Sequence, residues 1–414
     1  MKFHFIIPSR NGVEYLDWCY ASIRKHQGNH DVKITVLDDI SDQDNTEQWC
    51  VEIARVDQKF NYLINKGAIR YGISGGYKLL SNQVASDEVI CHFHNDMYLT
   101  PGALDGVEKA LKENPKTAVS LTRIEHSMGY MPGPEKIIWD RAPLEVSGWN
   151  DAEFLKDLNI LKDNWGGKVT GGHFAPFFMF KRMYDLIGGV DDKIFPLQSR
   201  EDSDFAYRLV LSGIKTIQIP YFVFHFASRG NRRNKYETNV LIDNPAWVEH
   251  NYKATRNFIR KWHTLNLHDE YLKPKLVNRF LTKFKLINPS YEELHKIEPY
   301  CDSIEVIGNS TIVDLYITQE QQSTMFDLHK KFNGLITGDF SITLEIDCSV
   351  RLEDSIYNFI HNLADIIVES TQSSSIDFKV FNPIKNLMVS TNKVVDIAHE
   401  LILDKNDFIK ELVL

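Results

Sequence analysis

Short apolar segments alternate with helical segments through the first 120 residues, and this alternation constrains the fold more than any other feature of the sequence. Strand candidates lie at 2–7, 32–37, 60–64 and 89–93. Between them, apolar residues recur at helical spacing. Strands that alternate with helices in this way form parallel sheets of βαβ units. The sequence therefore predicts an α/β fold with a Rossmann-like, mainly parallel sheet flanked by helices.

The length of 414 residues predicts more than one domain, because a typical domain has ~100 to 200 residues. We expect a first domain over 1–262, a lysine-rich helical linker over 263–290, and a smaller α/β domain over 291–414. The last of these contains no catalytic motif. The sequence therefore directs the search for a functional site to the first domain.

Composition excludes several classes of protein. With 43% apolar and 25% charged residues the chain is typical of soluble globular proteins, and its net charge of −9 disfavours a general nucleic-acid coat. Basic stretches at 229–235 and 273–285 keep nucleic acid open as a partner. There is no run of ~18 apolar residues and no hydrophobic signal at the start. Five scattered cysteines indicate reduced thiols. We expect a cytoplasmic protein without a membrane span.

Polar residues cluster where the predicted strands end. Ligands of open α/β sheets bind outside the carboxyl ends of the strands, so these residues are site candidates. An acidic group also begins a later helix, at Glu201 to Asp204, and His225 lies in a late strand. We expect Asp39, Asp96 and Asp202 to meet around one substrate. The strand-end residues are Pro8, Ser9, Asn11, Asp38, Asp39, Asn65, Gly67, His94, Asn95 and Asp96.

The segment from 123 to 170 is rich in glycine and proline and has no clear period. Its three tryptophans, Trp139, Trp149 and Trp165, have two interpretations. They could stack on a sugar or a base, or they could anchor the segment to the core. The sequence leaves both open.

The order of these motifs resembles family 2 glycosyltransferases of the GT-A fold. The resemblance covers roughly residues 1 to 240. The Asp-x-Asp motif of the family is matched here only in its last position, Asp96, with His94 in place of the first carboxylate. The other matching segments are Pro8-Ser9-Arg10-Asn11, Asp38-Asp39-Ile40-Ser41-Asp42, Asn65-Lys66-Gly67, Gly188-Gly189-Val190-Asp191, Glu201-Asp202-Ser203-Asp204 and His225.

This resemblance implies an inverting glycosyltransferase that uses a nucleotide sugar, with a UDP-sugar as the first choice of donor. Asp96 and His225 would bind Mn²⁺ or Mg²⁺, which neutralises a departing diphosphate. Asp202 would act as general base on the acceptor hydroxyl. The acceptor favoured is a glycan or a hydroxylated small molecule. The residues implied in donor binding are Pro8, Ser9, Asn11, Asp39, Asn65, Gly67, Asn95 and Arg229.

Each of these assignments has an alternative. Asp38 and Asp39 could be turn or N-cap residues, and His225 could be a buried core histidine. Glu201 and Asp204 compete with Asp202 for the role of base. The alternative functions are a nucleotidyltransferase, or a catalytically impaired scaffold that binds nucleotide sugars. An oligomer is also open.

Overall fold

The structure is a computed structural model, and it describes residues 1–126, 133–165, 171, 175–227, 243–336, 339–372 and 379–402. The chain divides into two compact units. The first contains Met1–His250 and His268–Pro274, and the second contains Asn251–Leu267 and Lys275–Leu414.

The first unit is built on one mixed sheet. Its strands lie in the order β3-β2-β1-β4-β8-β6-β9-β5, with β7 paired to β6. Parallel pairs join β3, β2, β1 and β4, whereas β8 is antiparallel to β4 and β6. The strands are β1 (Lys2–Ser9), β2 (Asp31–Asp38), β3 (Phe60–Ile64), β4 (Val89–His92), β5 (Met97–Leu99), β6 (Thr117–Glu125), β7 (Lys136–Ile138), β8 (Phe177–Phe180) and β9 (Lys215–His225).

Helices flank this sheet, and their apolar faces follow from their sequences. In α4, residues Ala103, Leu104, Val107, Ala110 and Leu111 recur at helical spacing and are all buried. The helices are α1 (Val13–His26), α2 (Thr46–Val56), α3 (Gly72–Ser81), α4 (Ala103–Glu113), α5 (Asp151–Asn164), α6 (Lys181–Leu186) and α7 (Glu201–Leu211). The next helix, α8 (Pro245–Trp262), begins in the first unit, and its residues from Asn251 onward belong to the second.

β5 pairs with a strand, β9, that is distant in sequence. It follows β4 directly along the chain, yet it pairs antiparallel with β9 at the other end of the strand order. Met97 lies opposite His225, and Leu99 lies opposite Val223. The short segment between β4 and β5 therefore runs from the carboxyl end of the parallel strands to the carboxyl end of β9.

The segment from 123 to 170 is more regular than its composition indicates, because it contains α5. Asn150 caps this helix by accepting hydrogen bonds from the backbone of Ala152 and Glu153. The ring centroid of Trp149 lies 4.8 Å from that of Phe224, and Trp139 is buried beside it. The anchoring interpretation therefore holds for these two tryptophans.

The second unit contains a smaller sheet in the order β11-β10-β12-β14-β13. β11, β10 and β12 pair in parallel, whereas β14 is antiparallel to both of its neighbours, β12 and β13. Its elements are β10 (Thr282–Ile287), α9 (Tyr291–Ile297), β11 (Ser303–Ile307), α10 (Ser310–Glu320), α11 (Leu328–Phe332), β12 (Ile342–Asp347), α12 (Asp354–His361), α13 (Leu363–Gln372), β13 (Lys379–Ile384) and β14 (Leu387–Thr391). The predicted fold class, an α/β sheet with a second α/β unit, is confirmed.

The prediction of a helical linker over 263–290 is wrong. These residues contain no helix, and β10 lies between β11 and β12. Thr282, Phe284 and Leu286 are buried, whereas the residues between them are partly exposed. This period of two residues is that of a strand, and the lysines occupy its outer positions.

Within the described residues, no helix combines the length and the apolar content needed to cross a membrane.

A buried ionic cluster connects several elements of the second unit. Glu298 is fully buried and lies 2.8 Å from Arg260, 2.8 Å from Lys331 and 3.4 Å from Arg256. Glu320 lies 3.1 Å from both arginines. Burial alone would raise the pKa of Glu298, but Arg260 and Lys331 hold it well below its usual range. The cluster therefore depends on an ionised Glu298.

Replacing Glu298 by glutamine should destabilise the protein by about 3–5 kcal/mol, because it leaves buried cations without their partner. Urea unfolding of the full chain at neutral pH measures this loss. Since the folded state depresses the pKa of Glu298, the stabilisation is present above the ordinary pKa of 4.5 and disappears in acid. The difference between wild type and Glu298→Gln should therefore shrink as the pH falls below that value.

Glu292→Gln is the matched control. Glu292 lies 2.8 Å from Lys296, and its side chain is 77% exposed. This surface pair should contribute little, so the control should unfold like the wild type. Equal losses of unfolding free energy in Glu298→Gln and Glu292→Gln would contradict a stabilising role for the buried cluster.

Candidate active site

Asp39 is the point at which three chain segments meet. The buried carboxylate accepts hydrogen bonds from Nδ2 of Asn65 at 2.8 Å, from the backbone of Tyr71 at 2.9 Å, and from the backbone of Gly72 at 2.8 Å. These contacts connect the end of β2 to the turn after β3 and to the start of α3. Nε of Arg70 also lies 3.7 Å from Oδ2 of Asp39, so the carboxylate is paired with a cation as well.

The start of α3 in turn contacts the loop that precedes α7. Gly72 has a φ of +65°, and a Cβ there would lie 2.3 Å from Cα of Leu197. Ser74 donates its backbone N–H to the Leu197 carbonyl at 3.1 Å. Leu197, Ser199 and Arg200 have φ values of 68°, 75° and 67°. Such backbone strain outside glycine concentrates at functional sites.

The acidic residues of α7 have different environments. Asp204 is fully buried and accepts from Nε of Arg208 at 2.7 Å, so it cannot serve as a base. Burial and the adjacent Asp202 raise the pKa of Glu201 to about 8, so Glu201 is mostly protonated at neutral pH. Asp202 is half-buried and accepts from the backbone of Ser203 at 2.7 Å. Of the acidic group, Asp202 best meets the requirements of a base.

Hydrogen bonds between Ser9 and its neighbours join the ends of β1 and β2 to the loop after β4. Asn95 donates from Nδ2 to Oγ of Ser9 at 3.0 Å, and the Ser9 carbonyl accepts from the backbone of Asp39 at 2.9 Å. Asn11, with a φ of 50°, donates to Oδ1 of Asp42 and accepts from its backbone, both at 2.8 Å. Ser9, Asp39 and Asn95 therefore lie together, whereas Asn11 holds the turns around them.

The remaining donor-binding candidates support the backbone or lie outside the described residues. Pro8 packs against α3, where a Cβ on Gly76 would lie 3.0 Å from its ring. Gly67 donates its N–H to Oδ1 of Asn65 at 2.9 Å. Arg229 is outside the described residues.

Two side chains of the loop after β4 and one at the end of β9 form a candidate metal centre. The ligand atoms of His94, Asp96 and His225 all lie within 4.8 Å of one another. Oδ1 of Asp96 is 3.4 Å from Nε2 of His225. The pairing of β5 with β9 causes this proximity, and the backbone of Phe226 donates to the Asp96 carbonyl at 3.0 Å.

Charge within this centre is strongly coupled. Burial would lower the pKa of His225, but Asp96 and Glu125 raise it to about 9. Burial would raise the pKa of Asp96, but His225 holds it below its usual range. Burial lowers the pKa of His94 to about 4, although Asp96 opposes this, so its neutral imidazole has a free lone pair. Asp202 also acts to raise the pKa of His94, so this carboxylate lies within electrostatic range of the candidate metal centre.

His92 is a core residue and not a member of this centre. Its ring stacks on Tyr77 with 4.1 Å between centroids. Burial lowers the pKa of His92 to about 3, and its Nε2 has no hydrogen-bond partner in the described part of the chain.

Sequence reasoning missed two residues that shape this site, Gly72 and Glu125. Glu125 is a carboxylate at the carboxyl end of an apolar strand, the signal that identified Asp38 and Asp39, and could have been found in that way. Gly72 carried no such signal, because its importance depends on the approach of Leu197.

Comparison with known proteins finds a family model that matches part of the first unit. Residues 4–186 match the family model described as glycosyl transferase family 2, which confirms the resemblance. No curated protein matches the chain significantly.

Similar solved structures include the crystal structure of GalNAc-T7 with UDP, GalNAc and Mn²⁺. It is 13% identical over 54% of this chain and 44% of that chain, with a TM-score of 0.40. The crystal structure of S. aureus TarS is 12% identical over 65% of this chain and 41% of that chain, with a TM-score of 0.42. The crystal structure of S. aureus TarS 1–349 in complex with UDP is 14% identical over 65% of this chain and 67% of that chain, with a TM-score of 0.41. The matched part of this chain thus spans less than half the length of the first two of these proteins.

Replacing Gly72 by alanine should destabilise the first unit, because the new methyl group meets the Leu197 backbone. Gly213→Ala is the control, since Gly213 also has a positive φ, of +64°, but its nearest contact is Nζ of Lys116 at 3.7 Å. We expect Gly72→Ala to cost about 1–3 kcal/mol more than Gly213→Ala in urea unfolding. Equal losses would indicate that the contact between α3 and the Leu197 loop is easily displaced.

Proposed function

We propose that this chain, which carries a glycosyl transferase family 2 domain over residues 4–186, is a metal-dependent inverting glycosyltransferase. It would move a sugar from a nucleotide sugar to an acceptor hydroxyl. The observation that carries the proposal is the cluster of His94, Asp96 and His225 beside a strand end that contains Asp39.

The donor would bind at the carboxyl ends of β1, β2 and β3. Asp39 would accept from a ribose hydroxyl or a base N–H, and Ser9 and Asn95 are polar groups beside it. Asn11, Asn65, Gly67 and Pro8 would support this pocket through the turns they hold. A UDP-sugar is the first donor to test, and a glycan or hydroxylated small molecule is the acceptor class.

The donor atoms of the candidate metal centre fit a divalent transition ion. Two imidazoles and one carboxylate favour Mn²⁺ over Mg²⁺, because Mg²⁺ prefers oxygen ligands. When bound, the cation would neutralise charge on the departing nucleoside diphosphate.

Asp202 would accept the proton of the acceptor hydroxyl as the oxygen attacks the anomeric carbon. Asp202 lies in the first turn of α7, at the helix end that carries partial positive charge. One displacement from the face opposite the diphosphate inverts the anomeric centre. Asp204 is paired with Arg208 and Glu201 is mostly protonated, which supports the choice of Asp202.

Thermal shift with UDP-, GDP- and dTDP-sugars, each with and without Mn²⁺, identifies the donor. With the best donor, Asp96→Ala should abolish Mn²⁺-dependent release of the nucleotide, because it removes the carboxylate ligand. Asp87→Ala should leave it intact, since Asp87 is an exposed residue paired with Lys2. Turnover by wild type in excess chelator would contradict metal dependence.

Asp202→Asn should lower turnover by about 10²- to 10⁴-fold, the usual contribution of a general base. Donor and Mn²⁺ affinities, measured by calorimetry, should remain close to those of wild type. Nuclear magnetic resonance of the product in the first minutes reports its anomeric configuration. Full activity in Asp202→Asn would exclude this residue as the base. Donor binding by the wild type without any turnover would instead favour the alternative of a scaffold that binds nucleotide sugars.

A further inference from the structure

Glu125, the last residue of β6, contacts the side chain of His225. Glu125 is 2% exposed, and its Oε1 lies 2.9 Å from Nδ1 of His225. We propose that Glu125 is a positioning residue that fixes the orientation and the tautomer of His225, so that Nε2 of His225 is available to the divalent cation. This inference rests on the metal centre of the proposed function.

The chemistry of the contact determines the tautomer. A carboxylate oxygen only accepts hydrogen bonds, so Nδ1 of His225 must carry the hydrogen. When a cation displaces the hydrogen from Nε2, the coordinating lone pair is on that atom. Nε2 lies 3.4 Å from Oδ1 of Asp96, so the two candidate ligand atoms are adjacent. Hydrogen bonds of this kind also increase the basicity of the coordinating nitrogen.

The surrounding structure holds the Glu125 carboxylate in place. Nζ of Lys136 lies 3.2 Å from Oε2, and Nε of Arg123 lies 3.6 Å from Oε1. β6 and β9 are parallel neighbours, and Ile124 lies opposite Phe224. The next residues along the two strands, Glu125 and His225, are therefore also neighbours. The side chain therefore reaches His225 from a fixed backbone.

A purely ionic role for Glu125 can be distinguished from positioning of His225, because a second glutamate, Glu135, lies beside the same cations. Glu135 pairs with the same cations, at 3.1 Å from Arg123 and 3.9 Å from Lys136. The contacts of the described residues do not join Glu135 to His225. Glu135→Gln therefore removes a carboxylate from the same network without touching the histidine.

The Mn²⁺ dissociation constant of the full chain, from electron paramagnetic resonance of free Mn²⁺, gives the primary measurement. Glu125→Gln should weaken binding by about 10- to 100-fold, because the glutamine N–H₂ can donate to Nδ1 and favour the wrong tautomer. Glu135→Gln should bind Mn²⁺ like wild type. Glu125→Asp is a second variant, which keeps the charge beside Lys136 but withdraws the carboxylate from His225, and it should also bind weakly.

Two further readouts separate positioning from folding. In a His225→Ala background, Glu125→Gln should cause no additional loss of Mn²⁺ affinity, because Glu125 acts through the histidine. In ¹⁵N-histidine-labelled protein with Zn²⁺, the His225 signals should report a protonated Nδ1 in wild type and a change in Glu125→Gln.

The outcomes distinguish the two proposals. If wild type binds Mn²⁺ and both Glu125 variants bind it equally well, the positioning role is overturned and the metal centre stands. If Glu125→Gln weakens binding just as much in the His225→Ala background, Glu125 acts structurally and the inference is overturned. If wild type does not bind Mn²⁺, the metal dependence of the proposed function fails, and the inference fails with it.

Discussion

The pairing of β5 with β9 is the contact on which the candidate active site depends. Without it, Asp96 would be one more polar residue after a parallel strand, and His225 would end a strand elsewhere in the sheet. The pairing sets Met97 opposite His225, and the carbonyl of Asp96 accepts from Phe226. Backbone hydrogen bonds therefore bring two candidate ligands together before any ion binds, which reduces the entropy lost on metal binding.

A second set of contacts relates Asp39 to the helix that contains Asp202. Asp39 accepts from the backbone at the start of α3, and that start packs on the Leu197 loop before α7. The proposed donor-binding residue and the proposed base are thus connected through Gly72. Asp39 has both a structural and a proposed binding role, and its three internal hydrogen bonds offset the cost of burying a carboxylate.

The second unit has its own sheet and a buried ionic cluster around Glu298. Its strands include β10, whose outward lysines suggested a helix. The error came from reading charge content in place of period, because Thr282, Phe284 and Leu286 alternate with exposed positions. Where charged residues occupy one face of a strand, the two-residue period is the more reliable signal.

The sequence by itself determined the α/β class, the ends of the first four strands of the first unit within two residues, and the polar residues after those strands. These features depend on local period and on turn chemistry, which neighbouring residues encode. Only the tertiary structure decided which acidic residue of α7 is tied to Arg208, that His94 joins Asp96 and His225, and that Glu125 lies behind His225. Each of these depends on contacts between segments far apart in the chain, and such contacts follow from strand pairing and packing, which no local pattern specifies.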